Sequence, residues 1–553
     1  MFRSLRVRSI PLLVVGLLVA GMLATLCVLP AGVLRADGPV FKPDSPGLSV
    51  TTLDLAGVSP DINNVAFAFD GKYSVVAPFE TSDPDHQDAF AGDNHYLVVT
   101  EVANPSHSFK LDLSSQGQTC YYATHLIISS DNTAFVRATS ADSKTHRPMA
   151  EVIAYGSLVL DKNTGDPKFD GAIITLEIPK FAPASDPGSM PVGFGVSKGG
   201  QFLVFTNGVK VMTVELATGD SNPYPVQPVP DAEYAPLPNP EDKDAATSDY
   251  ETITSLDVDS NNVVSIVVNG RRRGLDFSRL YFYRLREGMK RAGTLDALAP
   301  SIDSSHIAGA QIAPQSQVAV CDDGSLGYFA TTDGSFWSVE LNASPTLNLN
   351  LLRNYVSLSG PSGYEAAPRN VLIDPSGRTL SVVNQGAALR IRRPTYGKHG
   401  AIRRPTYVKS SETPGLVLVQ LNDKGYVASD VEVHSQGFGN GVYAISNPAF
   451  TEGGGAYVVA SYSASSGALK LLEKAGMTDV GGAVPDNIGQ IASPDGSTIV
   501  GLQGFDVSSQ QGASPSITGG SLVFMSLRHS SDALVASKTY KPAIRRPCNV
   551  SNH

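Results

Sequence analysis

The chain has 553 residues, of which 42% are hydrophobic and 17% are charged, and its formal net charge is -10. This composition predicts a packed core and excludes wholesale disorder. The acidic balance argues against a dedicated nucleic-acid binder, whose surface is usually basic, so we expect no nucleic acid among the partners. The 52 glycines and 37 prolines are typical of a chain with many turns.

The N-terminus has the composition of an export signal. Three arginines precede the uncharged run 10–34, and Ala36 follows as a small residue at a cleavage point. The run is also long enough to cross a bilayer. Residues 1–36 are therefore predicted to be either a cleaved signal peptide or a retained signal anchor. We expect the rest of the chain to be periplasmic or extracellular, with membrane contact only through residues 10–34 if they stay attached.

A short pattern recurs from residue 65 onward at a period of about sixty residues. Each copy has an apolar strand, a turn ending in Gly or Asn, and a second strand rich in Val, Ile, Tyr and Phe. Asp-Gly, Asn-Asn and Gly-Gly pairs accept the positive φ of hairpin turns, and the flanking residues suit a half-buried strand. The eight turn residues that mark the copies are Gly71, Asn132, Gly200, Asn262, Gly324, Gly377, Gly455 and Gly496.

Each repeat unit has room for about four short strands, which is the size of a propeller blade. Independent sandwich domains would need about seven strands each. We predict an all-β fold, a single β-propeller of seven or eight four-stranded blades over residues 37–528. Residues 529–553 are predicted to be a disordered tail. The stretch Leu48–Leu55 is a candidate for the strand that joins the last blade, because an open ring would leave unpaired edge strands.

Three stretches resemble the strand motifs of the bacterial YVTN/WD-repeat-like β-propeller superfamily. They are SPDGSTIVGL (Ser493–Leu502), DPSGRTLSVV (Asp374–Val383) and VMTVELATG (Val211–Gly219). The resemblance covers most of residues 48–528. It implies a propeller without implying a function, because in that superfamily the fold serves lactone hydrolases, dehydrogenase subunits, surface-layer proteins and binding scaffolds.

The densest acidic stretch is 81–94. Its carboxylates are the oxygen ligands that a hard cation such as calcium prefers. The spacing lacks the EF-hand pattern, so the alternative is a solvated loop between strands. We predict calcium as the candidate cofactor, with the ligands Asp83, Asp85, Asp88 and Asp93.

Residues 221–251 are rich in proline and acidic side chains and are too long for a tight turn. They are predicted to be a loop insertion, which serves either as a lid or docking segment or as an ordinary connection between blades.

Residues 271–291 hold eight Lys and Arg side chains among aromatic ones. One interpretation is a surface for an anionic partner, contacted by Arg271, Arg272 and Arg273. The other is a basic hairpin turn followed by an alternating, half-buried strand. In that strand Leu280, Phe282 and Leu285 would face inward or toward neighbours, and the arginines would face outward.

The peptide IRRPTY occurs twice within 391–409, and a partial copy lies at 543–548. The marker spacing around 391–409 is the longest, and omitting this stretch restores the period, so we predict an exposed loop insertion into a hairpin. Pro394 and Pro405 lack a ladder donor and exclude a central strand. The insertion is either a tolerated passenger or a basic arm for an anionic partner. The arm would act through Arg392, Arg393, Arg403 and Arg404.

The sequence contains no HExxH, GxSxG or P-loop motif. We therefore predict a non-catalytic binding or scaffold module for a protein or polysaccharide partner. One alternative is a lactonase-like, metal-assisted hydrolase with its site in the axial channel, and another is a quinoprotein-like redox accessory subunit. By resemblance to lactonase propellers, the channel candidates are Glu80, Asn207, Asn269, Asp322 and Asn384.

Overall fold

The computed structural model describes most residues between Leu48 and Leu527. The longest stretches outside that description are 1–47, 81–94, 179–192, 226–248, 391–405, 504–520 and 528–553. The described part consists of β-strands, a 3₁₀ turn at Val356–Leu358 and loops. None of its segments is a helix long and apolar enough to cross a membrane.

The first part of the chain forms strands that vary from two to thirteen residues in length. They are β1 (Leu48–Asp54), β2 (Val58–Ser59), β3 (Val65–Ala68), β4 (Tyr73–Val76), β5 (Phe79–Glu80), β6 (Tyr96–Glu101), β7 (Ser108–Asp112), β8 (Thr119–Ile128), β9 (Thr133–Asp142), β10 (Pro148–Leu160), β11 (Pro167–Phe169), β12 (Ile174–Glu177), β13 (Phe194–Val196), β14 (Phe202–Thr206), β15 (Val211–Glu215), β16 (Tyr224–Pro225), β17 (Tyr250–Val258), β18 (Val263–Arg272), β19 (Leu275–Leu285), β20 (Leu295–Ala297) and β21 (Ile302–Asp303).

The second part continues with strands of at most eight residues. They are β22 (Ala319–Val320), β23 (Leu326–Ala330), β24 (Ser335–Glu340), β25 (Leu349–Asn354), β26 (Arg369–Ile373), β27 (Thr379–Asn384), β28 (Ala387–Arg390), β29 (Thr406–Lys409), β30 (Gly415–Leu421), β31 (Val427–Val433), β32 (Val442–Ile445), β33 (Ala449–Phe450), β34 (Ala456–Ser463), β35 (Gly467–Glu473), β36 (Gly476–Asp479), β37 (Asn487–Ala492), β38 (Thr498–Gln503) and β39 (Ser521–Leu527).

These strands form eight antiparallel blades, so the prediction of seven or eight four-stranded blades is confirmed at eight. Blades 1 to 4 are β3-β4-β6-β7, β8-β9-β10 with β11 and β12, β13-β14-β15-β16, and β17-β18-β19 with β20 and β21. Blades 5 to 8 are β22-β23-β24-β25, β26-β27-β30-β31, β32 and β33 with β34-β35-β36, and β37-β38-β39-β1. Two small ribbons, β2-β5 and β28-β29, lie outside the blades.

The ring is closed by the strand predicted for that task. β1 pairs antiparallel with β39 along its whole length, from Leu48 opposite Leu527 to Asp54 opposite Ser521. Apolar side chains of blades 8 and 1, among them Phe524 and Val76, share one buried cluster. Closure places the last blade between two neighbours, as for every other blade, and it protects the edge of β39.

The predicted turn residues lie between the first and second strand of each blade. Gly71, Gly200, Gly324 and Gly377 have positive φ, and so do Asn132 (62°) and Asn262 (59°). Gly455 and Gly496 lie outside the described residues. The two asparagines also connect blades, because each side-chain oxygen accepts a backbone N–H of the preceding blade's turn. The distances are 2.6 Å from Phe69 N to Asn132 Oδ1 and 2.6 Å from Lys198 N to Asn262 Oδ1.

The core lies between the blades. All six residues of β27 are buried, because a central strand of a blade is covered by one neighbouring blade on each face. The contact of blades 2 and 3 is typical, with Phe135 and Tyr155 of one packing against Phe205 and Met212 of the other. The continuous apolar runs in the sequence therefore reflect burial on both sheet faces.

Strand direction assigns every connection to one of two faces. In an antiparallel blade, strands one and three run in the same direction. The first-to-second and third-to-fourth connections thus lie on one face, here called the turn face, where the longest connection is 286–294. The second-to-third and blade-to-blade connections lie on the other face, here called the loop face. Its longest connections are 77–95, 178–193, 226–249, 304–318, 355–368, 385–414 and 504–520.

Candidate interaction face

The strands that flank the acidic stretch, the connection 226–249 and the IRRPTY insertion end on the loop face. The acidic stretch 81–94 lies between β5 and β6, and its four aspartates, Asp83, Asp85, Asp88 and Asp93, are outside the described residues. The calcium site therefore stays a prediction. Within the part of the chain that the structure describes, no three His, Cys, Asp or Glu side chains are grouped to hold a metal.

The proline-rich insertion is shorter than the predicted 221–251. Tyr224–Pro225 forms β16, the fourth strand of blade 3, and Tyr250 is the first residue of β17. The blade requires an outer strand at this point, and the backbone of Tyr224 pairs with Thr213 despite the following proline. The connection between the two strands is 226–249.

The IRRPTY insertion also differs from the loop that we predicted. Thr406–Lys409 forms β29 and pairs antiparallel with β28, from Ala387 opposite Lys409 to Arg390 opposite Thr406. The end of the insertion is therefore the second strand of a ribbon, because its backbone finds a partner in the residues just before the insertion. Six further residues of the insertion lie outside the described residues: Pro394, Pro405, Arg392, Arg393, Arg403 and Arg404.

Two blades project beyond their neighbour on the loop face. β9 of blade 2 and β18 of blade 4 have ten residues each, whereas β14 of blade 3 has five. The turn-face ends of blades 3 and 4 lie at the same height, as the hydrogen bond from Lys198 N–H to Asn262 Oδ1 shows. At about 3.3 Å per residue, five additional residues carry blade 4 roughly 16 Å above blade 3. We call the projecting parts the blade 2 arm and the blade 4 arm.

A buried arginine lies at the base of the blade 2 arm. The Arg137 side chain is 1% exposed. It donates to Thr206 O at 2.8 Å and Gly193 O at 3.1 Å, both at the loop-face end of blade 3. Its carboxylate neighbour is Glu151, at 3.5 Å. Burial lowers the pKa of Arg137, while the charge of Glu151 opposes that shift. Arg137 thus caps two strand ends of blade 3 on the loop face.

His125 stands opposite Arg137 in the β8-β9 ladder and meets the edge of the Phe194 ring. Burial, with a smaller contribution from the charge of Arg137, lowers the pKa of His125 to about 3. The imidazole is therefore neutral at physiological pH.

The blade 4 arm is held by a buried carboxylate that faces two arginines. Glu251 is 1% exposed and lies 2.9 Å from Arg272 and 3.1 Å from Arg279. Burial raises the pKa of Glu251 even though both arginines oppose that shift. A second pair, Arg271 with Asp276 at 2.7 Å, joins β18 and β19. The arm is therefore stiffened by ion pairs that involve two of the three predicted partner-binding arginines.

The three side chains predicted to face inward on β19 are buried, since Leu280, Phe282 and Leu285 are each at most 2% exposed. The predicted alternation is wrong, because Leu280 and Phe282 pack toward blade 5 while Leu285 packs with Tyr281 toward blade 3, so both faces of the strand are covered. On the other side, the connection 304–318 braces the blade 4 arm, with Gln311 Nε2 donating to Asp276 O at 2.8 Å. Ile312 N donates to Ser278 Oγ at 2.8 Å.

The tip of the blade 4 arm is a two-residue turn. Arg273 (φ 51°) and Gly274 (φ 75°) both have positive φ, which gives a tight hairpin between Arg272 and Leu275. The backbone N–H of Arg273 donates to Asp249 Oδ1 at 2.7 Å. The basic triplet 271–273 is thus placed at the far end of a rigid ribbon on the loop face.

A third buried charge cluster lies at the loop-face end of blade 6. Arg369 and Glu412 are both fully buried, with 2.5 Å between their charged groups. Glu412 also accepts Ala367 N–H and Asn384 Nδ2–H, each at 2.9 Å. Arg369 Nε donates to Leu358 O at 2.8 Å. The pair therefore joins blade 6 to the connection that follows blade 5.

The lactonase-type candidates that the structure describes take part in separate structural contacts. Asn384 is used by the Glu412 cluster, and Asn269 bonds Thr254 Oγ1 and Ile312 O. Asn207 accepts Lys210 N–H within a turn. Asp322 lies in a turn on the turn face, at the opposite end of the blades from Asn384. Glu80 is the last residue of β5. The amides that we can place have structural hydrogen bonds of their own.

Sequence reasoning missed the charged residues that organise this face, namely Arg137, Glu151, Glu251, Arg369 and Glu412. An available signal was a single charge inside an otherwise apolar strand, as in TAFVRATS and RNVLI. Such a residue is almost never fully buried unless it has a partner. The identity of that partner could not be read from the sequence.

Comparison with protein-family models and with curated protein sequences finds no match to this chain. Among solved structures, it is similar to the β-propeller domain of Myceliophteria thermophila Cps50 (Swd1), with 8% identity over 74% of this chain and 100% of that one, at a TM-score of 0.33. It is also similar to the Dos1 propeller, with 10% identity, 86% and 94% coverage, and a TM-score of 0.43. A functionally unknown Desulfotomaculum acetoxidans protein has 11% identity, 70% and 93% coverage, and a TM-score of 0.33. The eight closed blades define the fold independently of these likenesses.

Proposed function

We propose that this protein is exported and serves as a non-catalytic binding or scaffold module that presents its loop face to a protein or polysaccharide partner. The observation that carries the proposal is the segregation of every long connection to one face of a closed ring. Rigid scaffolds that present variable loops are a common design for recognition. The stiffened blade 4 arm adds a fixed projection to that face.

The chain ends support this orientation. The chain enters β1 at Leu48 and leaves β39 at Leu527, and both positions are at the turn face of blade 8. A retained anchor in residues 10–34 would therefore attach on the side opposite the loop face. The loop face would stay accessible whether or not residues 1–36 are removed.

The test blocks one face at a time. A cysteine replacing Asp333, in a loop-face turn, or Asn163, in a turn-face turn, is coupled to a polyethylene-glycol maleimide. Binding of the labelled protein to a glycan array and to the envelope fraction of the producing organism is then measured. We expect the loop-face block to abolish binding and the turn-face block to spare it. The opposite pattern, or binding that resists both blocks, would overturn the proposal.

Metal analysis provides an independent arm. The purified exported protein is dialysed and its metal content is measured per chain. A stoichiometric ion that survives dialysis, together with hydrolysis of a lactone panel, would replace the proposed function with the lactonase-like alternative. Recovery from the cytoplasm alone would contradict export.

A further inference from the structure

The tip of the blade 4 arm carries an exposed apolar side chain between basic ones. Leu275 is 75% exposed, and Arg272 is 48% exposed in its side chain. Single exposed leucines are common on protein surfaces. Leu275 differs because it lies at the end of an ordered ribbon, immediately after the positive-φ turn of Arg273 and Gly274.

The side chains around the tip are already ordered. The guanidinium groups of Arg272 and Arg279 lie 5.5 Å and 5.2 Å from the centre of the Phe277 ring. Glu251 forms ion pairs with both guanidinium groups. Binding costs less when long side chains are fixed before the partner arrives, because their rotamer freedom has already been lost. The tip is thus preorganised for contact.

The charge of the tip favours an acidic partner. Glu251 and Asp303 offset the charges of Arg272 and Arg279, but Glu251 is buried beneath Arg272, whose side chain is 48% exposed. Arg273 is exposed and adds a further positive charge. Arginine is well suited to carboxylates because its planar group donates two parallel hydrogen bonds.

We propose that Arg272, Arg273 and Leu275 form a docking surface for an acidic segment of a partner protein. Carboxylates of that segment pair with the two arginines, and a neighbouring apolar or aromatic side chain packs on Leu275. This inference rests on the proposed binding function of the loop face and names the partner's chemistry.

A protein segment fits the tip better than an anionic membrane. Asp249 and Asp276 lie beside the arginines, and the chain as a whole has a net charge of -10. A charged bilayer surface interacts with all of these charges at once, including the aspartates and the acidic remainder of the chain. A protein segment can instead place individual carboxylates against individual guanidinium groups. One leucine also buries too little apolar area for stable insertion into a membrane.

The test uses the whole exported chain and a displayed library of short random peptides. Peptides are selected on immobilised protein, synthesised, and titrated against wild type, Leu275→Asp, Arg273→Glu and Leu351→Asp. Leu351 is the matched control, because it is 53% exposed on the outer strand of blade 5. Melting temperatures verify that each variant folds, and Leu275→Ser replaces Leu275→Asp if the latter does not.

We expect selected peptides to combine Asp or Glu with an aromatic or aliphatic residue. Their Kd should rise about tenfold or more in Leu275→Asp and in Arg273→Glu, and stay unchanged in Leu351→Asp. Selection of no such motif, or equal affinity for all variants, would overturn the inference. Leu275-dependent sedimentation with phosphatidylcholine–phosphatidylserine vesicles, without peptide binding, would also overturn it in favour of a lipid ligand.

The two proposals fail in different ways. If the loop-face block abolishes binding but the tip variants bind as wild type, the inference about the tip is wrong and the binding function stands. If neither block has an effect on binding, the proposed function itself is wrong.

Discussion

Neutralising Glu412 should destabilise the ring more than any exposed substitution. In Glu412→Gln, the oxygen that accepts Ala367 N–H can be kept, but the amide NH₂ then faces the donors of Arg369 and Asn384. Arg369 is fully buried and loses the carboxylate that pairs with it, which leaves only the weaker influence of Asp333. Removing one partner of a buried ion pair costs about 3–5 kcal/mol, and we expect the free energy of unfolding to fall by that amount.

The assay is equilibrium urea unfolding followed by tryptophan fluorescence. The chain has a single tryptophan, Trp337 in β24, so its emission reports on blade 5, next to the Arg369 contact. The matched control is Lys168→Met, which removes an exposed pair with Asp161 and should barely move the midpoint, because exposed pairs contribute little.

A double variant tests the reason for the loss. Arg369→Met with Glu412→Leu replaces both charges by apolar side chains, and it should be more stable than Glu412→Gln alone. A Glu412→Gln protein that unfolds at the wild-type urea concentration would refute the reasoning. So would a double variant that is less stable than Glu412→Gln.

Three further predictions concern pH, turns and closure. The pKa of His125 is about 3 in the folded chain, against the usual histidine value of 6.5, so the unfolded chain binds more protons between these values and stability falls as pH drops from 7. Between pH 7 and pH 5 the free energy of unfolding should fall by about 2 kcal/mol. The urea midpoint should therefore change less between these two pH values in His125→Gln than in the wild type. Asn262→Ala should cost about 1–2 kcal/mol, because it loses the acceptor for Lys198 N–H at a positive-φ position; Asn262→Gly, which relieves the backbone, should cost less in the same titration. Deleting Leu48–Asp54 exposes the edge of β39. Light scattering after gel filtration should then show association that increases with protein concentration. A deletion variant with the same mass as the wild type at every concentration would contradict the closing role of β1.

Turn chemistry and alternation allowed the blades to be predicted. A positive φ at Asn132 or Asn262 and the placement of Leu280 and Phe282 on one face of β19 are local properties of a few consecutive residues. The closing strand was also predictable. One strand precedes the first repeat in the chain, and a closed ring needs such a strand to pair with the last blade. The prediction of the IRRPTY loop was only partly right, since a strand requires a partner and Thr406–Lys409 found one just upstream.

The candidate face was much less accessible to prediction. That Arg271 and Arg272 are basic and near a turn could be read directly, but their pairing with Asp276 and Glu251 could not. Pairing depends on which strand ends reach the same height on the same face. The height of the blade 4 arm depends in turn on how far β18 continues beyond its short neighbour β14.

The sequence by itself determined the repeat unit, the position of its turns and the strand that closes the ring, because alternation and turn geometry act between near neighbours in the chain. Only the tertiary structure decided that the blades number eight, that the long connections share one face, and that Arg369 meets Glu412. These outcomes depend on the order in which blades pack. Burial of an ion pair is set by neighbours that are distant in sequence and adjacent in space.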